Sequence, residues 1–497
     1  MTQLGSATVR GMRWTYLASV AGIVLQLPYA AVMARLLTPE DFGLMALAHL
    51  VLRFAHHFAQ GGLRSAVVQR ASITDRDIRV IFTLAIAVGT CSFAAVWYVA
   101  PYATDLVRGP AELTSVIRAT ALMLVFMALG APAAGLLARA MRYRAVALTD
   151  FFSFAAGYCV VGFTSALLGA GVWSLVYGTL CWYFLQALLP CLLVRHSLRP
   201  LVDLTAMRDI MGFGGKISVN GFLEYLTEDF GKLAIGRYVG VTAAGLYDRA
   251  ALLASLPLYQ IQAAASKVLL PAFSRIRHET GRLGASYADC VALTTLALLP
   301  LWAVIGASSE QLVALLLGEQ WSGSTELVPV LGLVSVLALV AQFLGTLVEA
   351  MGVVGPKVAI HLVQLAVLVG GTALALAAGG QIHALMIVVL TGQAVRLALL
   401  QTWLSRLFPD TRRPVATAYA QAAVLAALTW AALWCVQHLL GSTGCPTALL
   451  LAAKLVTAAA LLLCCVRYGG SLAGVRVARE RGLLPGVLTA RRPAGGQ

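Results

Sequence analysis

ARLLTPEDFGLMALA, residues 34–48, has a counterpart in GRYVGVTAAGLYDRA, residues 236–250. At one constant offset Arg35 falls over Arg237, Gly43 over Gly245, Leu44 over Leu246 and Ala48 over Ala250. Short Gly, Leu and Ala matches also arise by chance in apolar sequence, so the weight of this one rests on its place in the chain. Each copy begins the second helix of a six-helix half, and because six is even the two halves share one orientation in a membrane. Parallel repeats related by an axis along the membrane normal are a transporter architecture, with the substrate site between the lobes.

The helix count behind that placement follows from composition. Of 497 residues, 60% are hydrophobic and only 11% charged, which describes a polytopic membrane protein rather than a soluble chain with ordinary cores. The apolar runs are about 20 to 25 residues long, the length a helix rising about 1.5 Å per residue needs to cross a core of about 30 Å. The alternation of a β-barrel is absent. Breaks rich in charge, Gly or Pro place helices near 13–36, 43–64, 79–101, 112–138, 147–169 and 171–194, then near 210–235, 244–269, 285–306, 325–350, 356–378 and 381–404, and finally near 415–438 and 447–467. The predicted class is therefore an all-α polytopic membrane protein with two parallel-related six-helix lobes, over 1–201 and 202–405. Two additional spans over 406–470 bring the total to fourteen, and a basic tail covers 471–497.

Charge placement tests the count independently. One set of alternate connections collects nearly all the Lys and Arg outside the spans, including Arg10, Arg76, Arg142, Arg208, Arg275 and Arg412, whereas the opposite set holds only Arg35, Arg108 and Arg237. The positive-inside rule reads this as both termini cytoplasmic. The net charge of +15 thus has a topogenic origin, and nucleic-acid binding is excluded because no soluble basic face with aromatic or polar readers exists. The N-terminal MTQLGSATVRGMRW lacks a separate apolar segment with a cleavage site, so the first helix is read as retained. The tail RVARERGLLPGVLTARRPAGGQ is read as a topogenic segment without regular structure, with anionic-lipid or partner binding as the alternative. The nine cysteines show no CxxC or His/Cys spacing, so no metal is predicted.

ARLLTPEDFGLMALA, GGLRSAVVQR with its ITDRD continuation, GFGGKIS, GRYVGVTAAGLYDRA and SKVLLPAFSRI together resemble the Wzx-type polysaccharide flippases. These belong to the multidrug/oligosaccharidyl-lipid/polysaccharide exporter superfamily, and the chain is most similar to the branch of colanic-acid and teichuronic-acid exporters. The resemblance implies two six-helix lobes around a central cavity lined by helices one, two, seven and eight. It implies alternating access that moves an undecaprenyl-diphosphate-linked oligosaccharide from the inner to the outer leaflet of a bacterial cytoplasmic membrane. Polysaccharide polymerase and glycosyltransferases are the implied partners, beside membrane lipids, and no cofactor is implied. The two added helices are similar to those of fourteen-helix lipid II flippases. One departure stands out: where family members commonly have Asn before Arg in the second repeat, this chain has Asp248 before Arg249.

Polar residues inside the spans are the candidates for the site, since an ionised group at mid-membrane costs at least about 2.5 to 3.5 kcal/mol and faces a cavity or a partner. In HLVLRFAHHFAQGG, residues 49–62, His49, Arg53, His56 and Gln60 share one helix face. Arg supplies the bidentate cation that a diphosphate needs, and the histidines add hydrogen bonds and tunable charge. The alternative is a structural network tying helix two to a neighbour. On helix seven Lys216, Asn220, Glu224 and Glu228 recur every four residues. Glu224 is read as binding sugar hydroxyls, as carrying a coupling proton or sodium together with Glu228, or as pairing with Arg53. Arg118, Arg249 and Arg396 are further substrate candidates, against snorkelling or pairing.

Enzymatic readings do poorly. GFGGKIS fails the phosphate-loop pattern at both ends, with Ile210 in place of the first Gly and Ile217 after the lysine. No soluble domain exists to hold a nucleotide sugar for the DRD at 75–77, and the longest outer loop, about 307–324, is short for polymerase or ligase chemistry. A cation-coupled multidrug or small-molecule antiporter of the same superfamily is the runner-up. Its cavity should be more apolar and acidic than one offering Arg53, Arg118, Lys216 and Arg249.

Overall fold

In a computed structural model the chain is all-helical. The structure describes residues 22, 25–60, 67, 73–194, 197, 199–203, 207, 223–276, 278–353, 355–442, 445–470 and 472–480. Packing divides it into two compact units, Met1–Asp248 and Arg249–Gln497. The first holds α1 (25–36), α2 (Pro39–Gln60), α3 (Asp75–Leu106), α4 (Ala111–Arg139), α5 (Tyr143–Leu167), α6 (Val172–Val194) and α7 (223–238). Helix α8 (Val241–Arg275) begins in the first unit and continues into the second. There follow α9 (Thr280–Ala307), α10 (Leu327–Ala350), α11 (Gly355–Ala377), α12 (Ile382–Leu407), α13 (Arg412–Gly441), α14 (Thr447–Tyr468) and α15 (Ala473–Glu480).

Local chemistry sets the helix starts in the first unit. Thr38 Oγ1 accepts from the Asp41 amide at 3.2 Å while Asp41 Oδ2 accepts from the Thr38 amide at 2.9 Å. This reciprocal box satisfies two orphan donors, and Pro39 supplies a first helical residue that lacks the donor anyway. Thr74 and Asp77 repeat the device at the start of α3. Further in, α3 and α4 bury Val80, Ile81, Leu84, Ala85 and Ala128 against one another, with Val67 in the same cluster. Residues Ala155–Gly162 of α5 are wound as a π-helix, and there Gly157 lets the backbone approach α6 so closely that a Cβ would stand 2.7 Å from the Trp182 nitrogen.

In the second unit α9 is the central strut. Leu283, Tyr287, Val291 and Leu298 on it pack with Val340, Leu344 and Leu347 of α10 and Leu400 and Leu404 of α12. The C-terminal pair also leans on α9. The rings of Trp302 and Trp430 lie 5.4 Å apart, and Lys454 of α14, only 2% exposed, donates to the Ala307 carbonyl at 2.6 Å and to Gln311 Oε1 at 2.8 Å. The AGGQ turn between α11 and α12 is made possible by Gly379, whose φ of +71° an L side chain rarely adopts.

Ten helices among the described residues, α3 to α6 and α9 to α14, are long and apolar enough to cross a membrane, and each coincides with a predicted span. The chain is therefore a multi-pass, all-α membrane protein. The remaining four predicted spans meet α1, α2, α7 and α8, which are described only in part. One expectation is corrected. The start of the C-terminal tail has regular structure: Ala473–Glu480 is a helix whose Ala473, Gly474, Val475, Val477 and Ala478 are buried. Its small residues allow close packing, with Gly474 against the Ala292 carbonyl of α9. The rest of the tail, 481–497, lies outside the described residues.

Candidate functional site

Arg53, at the centre of the polar stripe predicted on α2, meets α7. Arg53 Nη1 lies 2.7 Å from Asp229 Oδ2, an ion pair in which the arginine side chain is 51% exposed and the aspartate 9%. Tyr225, one helical turn before Asp229, sits beneath the pair. Its ring centroid is 5.9 Å from the Arg53 guanidinium carbon, and its hydroxyl donates to the Leu50 carbonyl. Phe54 packs on the same ring at 6.5 Å. Asp229 thus orients a guanidinium that keeps half its surface open, so the remaining N–H donors can bind an anion without breaking the pair.

The departure at Asp248 has a partner as well. Lys232 Nζ lies 2.6 Å from Asp248 Oδ1, with both side chains largely buried. Tyr225, Asp229 and Lys232 fall at i, i+4 and i+7, so the face of α7 that meets α2 is one residue round from the Lys216–Glu228 stripe read from the sequence. Sequence periodicity alone could not separate the two, because Glu228 and Asp229 are adjacent acids. Asp229 and Tyr225 are the residues it missed.

At the starts of α2 and α8 the repeat closes on itself. A Cβ on Gly43 would overlap the Val241 carbonyl oxygen, and one on Gly245 would overlap the Pro39 carbonyl oxygen. Since Val241 is the counterpart of Pro39, as Gly245 is of Gly43, the contact is reciprocal between equivalent positions. Only glycine permits backbones this close.

The other candidates are dispersed. His49 is half-buried on α2, and His56 lines a cavity with α4 and α6. Glu224 has one carboxylate oxygen buried, and Glu228 is exposed. Arg118 lies over the Trp97 ring at 5.0 Å and donates to the Trp97 carbonyl at 3.2 Å, which ties α4 to α3. Arg249 is half-buried on α8. Arg396, 1% exposed on α12, belongs to a separate buried set in the second unit, where His361 of α11 is within electrostatic reach of both Arg396 and Lys357. Lys357 pairs with Glu349 at 2.7 Å. Lys216, Asn220 and the side chain of Gln60 lie outside the described residues. Among the described residues no cluster of His, Cys, Asp and Glu could hold a metal.

A family model described as "Polysaccharide biosynthesis protein" matches residues 32–326, more than half of the chain. The chain belongs to that family. The match runs from α1 to the residue before α10, so it holds both copies of the repeat and the Arg53–Asp229 pair. The resemblance to Wzx-type flippases read from the motifs is borne out by the relatives. The chain is 23% identical over 353 residues to the lipopolysaccharide biosynthesis protein WzxC of Escherichia coli (strain K12), covering 70% of each chain. It is 28% identical over 331 residues to the succinoglycan biosynthesis transport protein ExoT of Rhizobium meliloti (strain 1021), covering 66% of this chain and 65% of that one. Among solved structures it is similar to the lipid II flippase MurJ in an inward closed conformation, with a TM-score of 0.71 over 95% of this chain and 99% of that one. At 10% identity that likeness carries the fold alone. As a member of this family the chain is a membrane transport protein of polysaccharide biosynthesis.

Proposed function

We propose that the chain is a flippase that moves an undecaprenyl-diphosphate-linked oligosaccharide from the inner to the outer leaflet of the bacterial cytoplasmic membrane, with both termini cytoplasmic. The observation that carries this reading is the half-exposed Arg53 guanidinium held by Asp229. A cation fixed inside the membrane portion of a transport protein suits a diphosphate, and its fork suits two phosphate oxygens at once. A cation-coupled drug antiporter would instead need carboxylates open to cationic cargo. Here Asp229 is neutralised by Arg53 and Asp248 by Lys232.

Alternating access gives the reciprocal glycine contact a role: it is the closed outer gate, formed where α2 and α8 begin. Substrate entering from the inner leaflet places its diphosphate at Arg53, and separation of the two glycines then opens the outer side. His49, His56 and Glu224 supply hydrogen bonds or titratable charge along the way. The test is reconstitution in proteoliposomes with an undecaprenyl-diphosphate oligosaccharide, read by the access of an added glycosidase to the sugar. Protein-dependent flipping is expected. No flipping of any such lipid, with protein-dependent movement of a cationic dye, would replace this reading with the antiporter.

A further inference from the structure

A second polar feature of the first unit lies one turn from Arg53. His56 lines a cavity of about 280 Å³ with Trp182, Tyr183 and Gln186 of α6, over a floor of Gly130 and Ala131 from α4. The two aromatic rings are packed together with centroids 4.7 Å apart, and Trp182 continues into Tyr158 of α5 at 5.6 Å. Gln186 Nε2 donates to Asp150 Oδ1 at 2.7 Å, which fixes the amide and turns its oxygen away from that bond. The π-helical segment of α5 is what brings Tyr158 alongside, its hydroxyl 3.2 Å from Thr179 Oγ1. Irregular winding of this kind is disfavoured in a plain spanning helix and is frequent at functional sites.

A Trp–Tyr pair flanked by an imidazole and an amide offers flat apolar ring faces beside polar edges. A pyranose has the matching chemistry, with C–H groups on its faces to lie on aromatic rings and hydroxyls on its edge to take amide and imidazole. The volume lies just under the ligand-pocket range of roughly 300–1,000 Å³, so it fits a single sugar ring rather than a chain. His56 and Arg53 are three residues apart on α2 and so share a face.

We infer that the His56–Trp182–Tyr183–Gln186 cavity is a saccharide subsite, which holds the sugar joined directly to the diphosphate while Arg53 holds the diphosphate. The inference rests on the flippase reading above. It assigns the choice of first sugar to α6.

The test uses the full-length chain in nanodiscs and two probes, undecaprenyl diphosphate alone and undecaprenyl-diphosphate glucose or galactose. In the parent the sugar-bearing lipid should bind about tenfold more tightly than the bare lipid, the size of one well-made polar contact or stack. Trp182→Ala and Gln186→Leu should each erase most of that ratio and leave the affinity for the bare lipid unchanged, with Trp182→Phe keeping most of it. Because Trp182 packs against Tyr158 of α5 and Gln186 is bonded to Asp150 of α5, thermal unfolding of each variant is followed beside binding, and only variants that unfold as the parent does are counted. A ratio unchanged in Gln186→Leu and in folded Trp182→Ala overturns the subsite and spares the flippase reading. A parent that binds neither lipid overturns both.

Discussion

Arg53 and Asp229 are unequal partners, and the inequality separates structural from functional roles. Asp229 is nine-tenths buried and the guanidinium half-exposed. Arg53→Ala strands the carboxylate and should cost about 3 kcal/mol of stability, whereas Asp229→Asn leaves the guanidinium to water and should stay within about 1 kcal/mol. Thermal unfolding in detergent reads the difference. Export should be lost in Arg53→Ala and kept in part in Arg53→Lys, which retains the charge without the fork. In the double variant Arg53→Ala, Asp229→Ala stability should recover while export does not. Export returning together with stability would reduce the arginine to a packing partner. Arg53 was legible in the sequence because a cation amid Leu, Phe and Ala on a spanning helix has few explanations. Its partner was not, since Glu224, Glu228 and Asp229 lie within two turns, and only the rotation of α7 against α2 chooses among them.

Elements show the same division between what length encodes and what packing decides. The ten apolar helices could be placed from composition because hydrocarbon thickness sets their length. Helix α8 runs on to Arg275, past the apolar stretch read at 244–269, because hydrogen bonding continues a helix where the bilayer no longer requires one. Helix α15 was missed because a short segment with three charges gives no signal until small residues find a groove beside α9. The repeat itself was legible, but that Gly43 and Gly245 lie against each other's neighbouring backbones was not. Their contact makes a sharp prediction. Gly43→Ala or Gly245→Ala should lower flipping at least about tenfold with normal membrane insertion, since a methyl group has no room at either place. Gly370→Ala in α11 is the control. Nothing lies within 4 Å of the added carbon there, and helix propensity favours Ala by about 1 kcal/mol. A proteoliposome assay in which all three variants match the parent would remove the glycine pair from the transport cycle.

For the whole molecule, topology and driving force are linked through the sign of the charge moved. The proposed orientation, with both termini cytoplasmic, requires reporter fusions after Arg144 and after Gly441 to read inside and outside respectively, and either reversed would break the helix count. In that orientation the proposed cargo carries about two negative charges on its diphosphate, and in a cell negative inside each gains about 2.3 kcal/mol per 100 mV on moving outward. The membrane potential therefore favours the loaded step. On the empty protein the Arg53 charge is balanced by Asp229, so the potential contributes little to the return of the unloaded site, and that is the step that needs help. A proton or sodium ion bound at Glu224, or protonation of His49 and His56 nearby, would shift which conformation the empty protein prefers. Flipping in proteoliposomes should accordingly rise when an inside-negative potential is imposed on right-side-out vesicles. Glu224→Gln should alter the proton or sodium dependence of the rate without weakening lipid binding, since the amide keeps the shape and removes the titratable charge. Equal flipping with and without a potential, together with a Glu224→Gln variant indistinguishable from the parent, would return this face of α7 to a purely structural role.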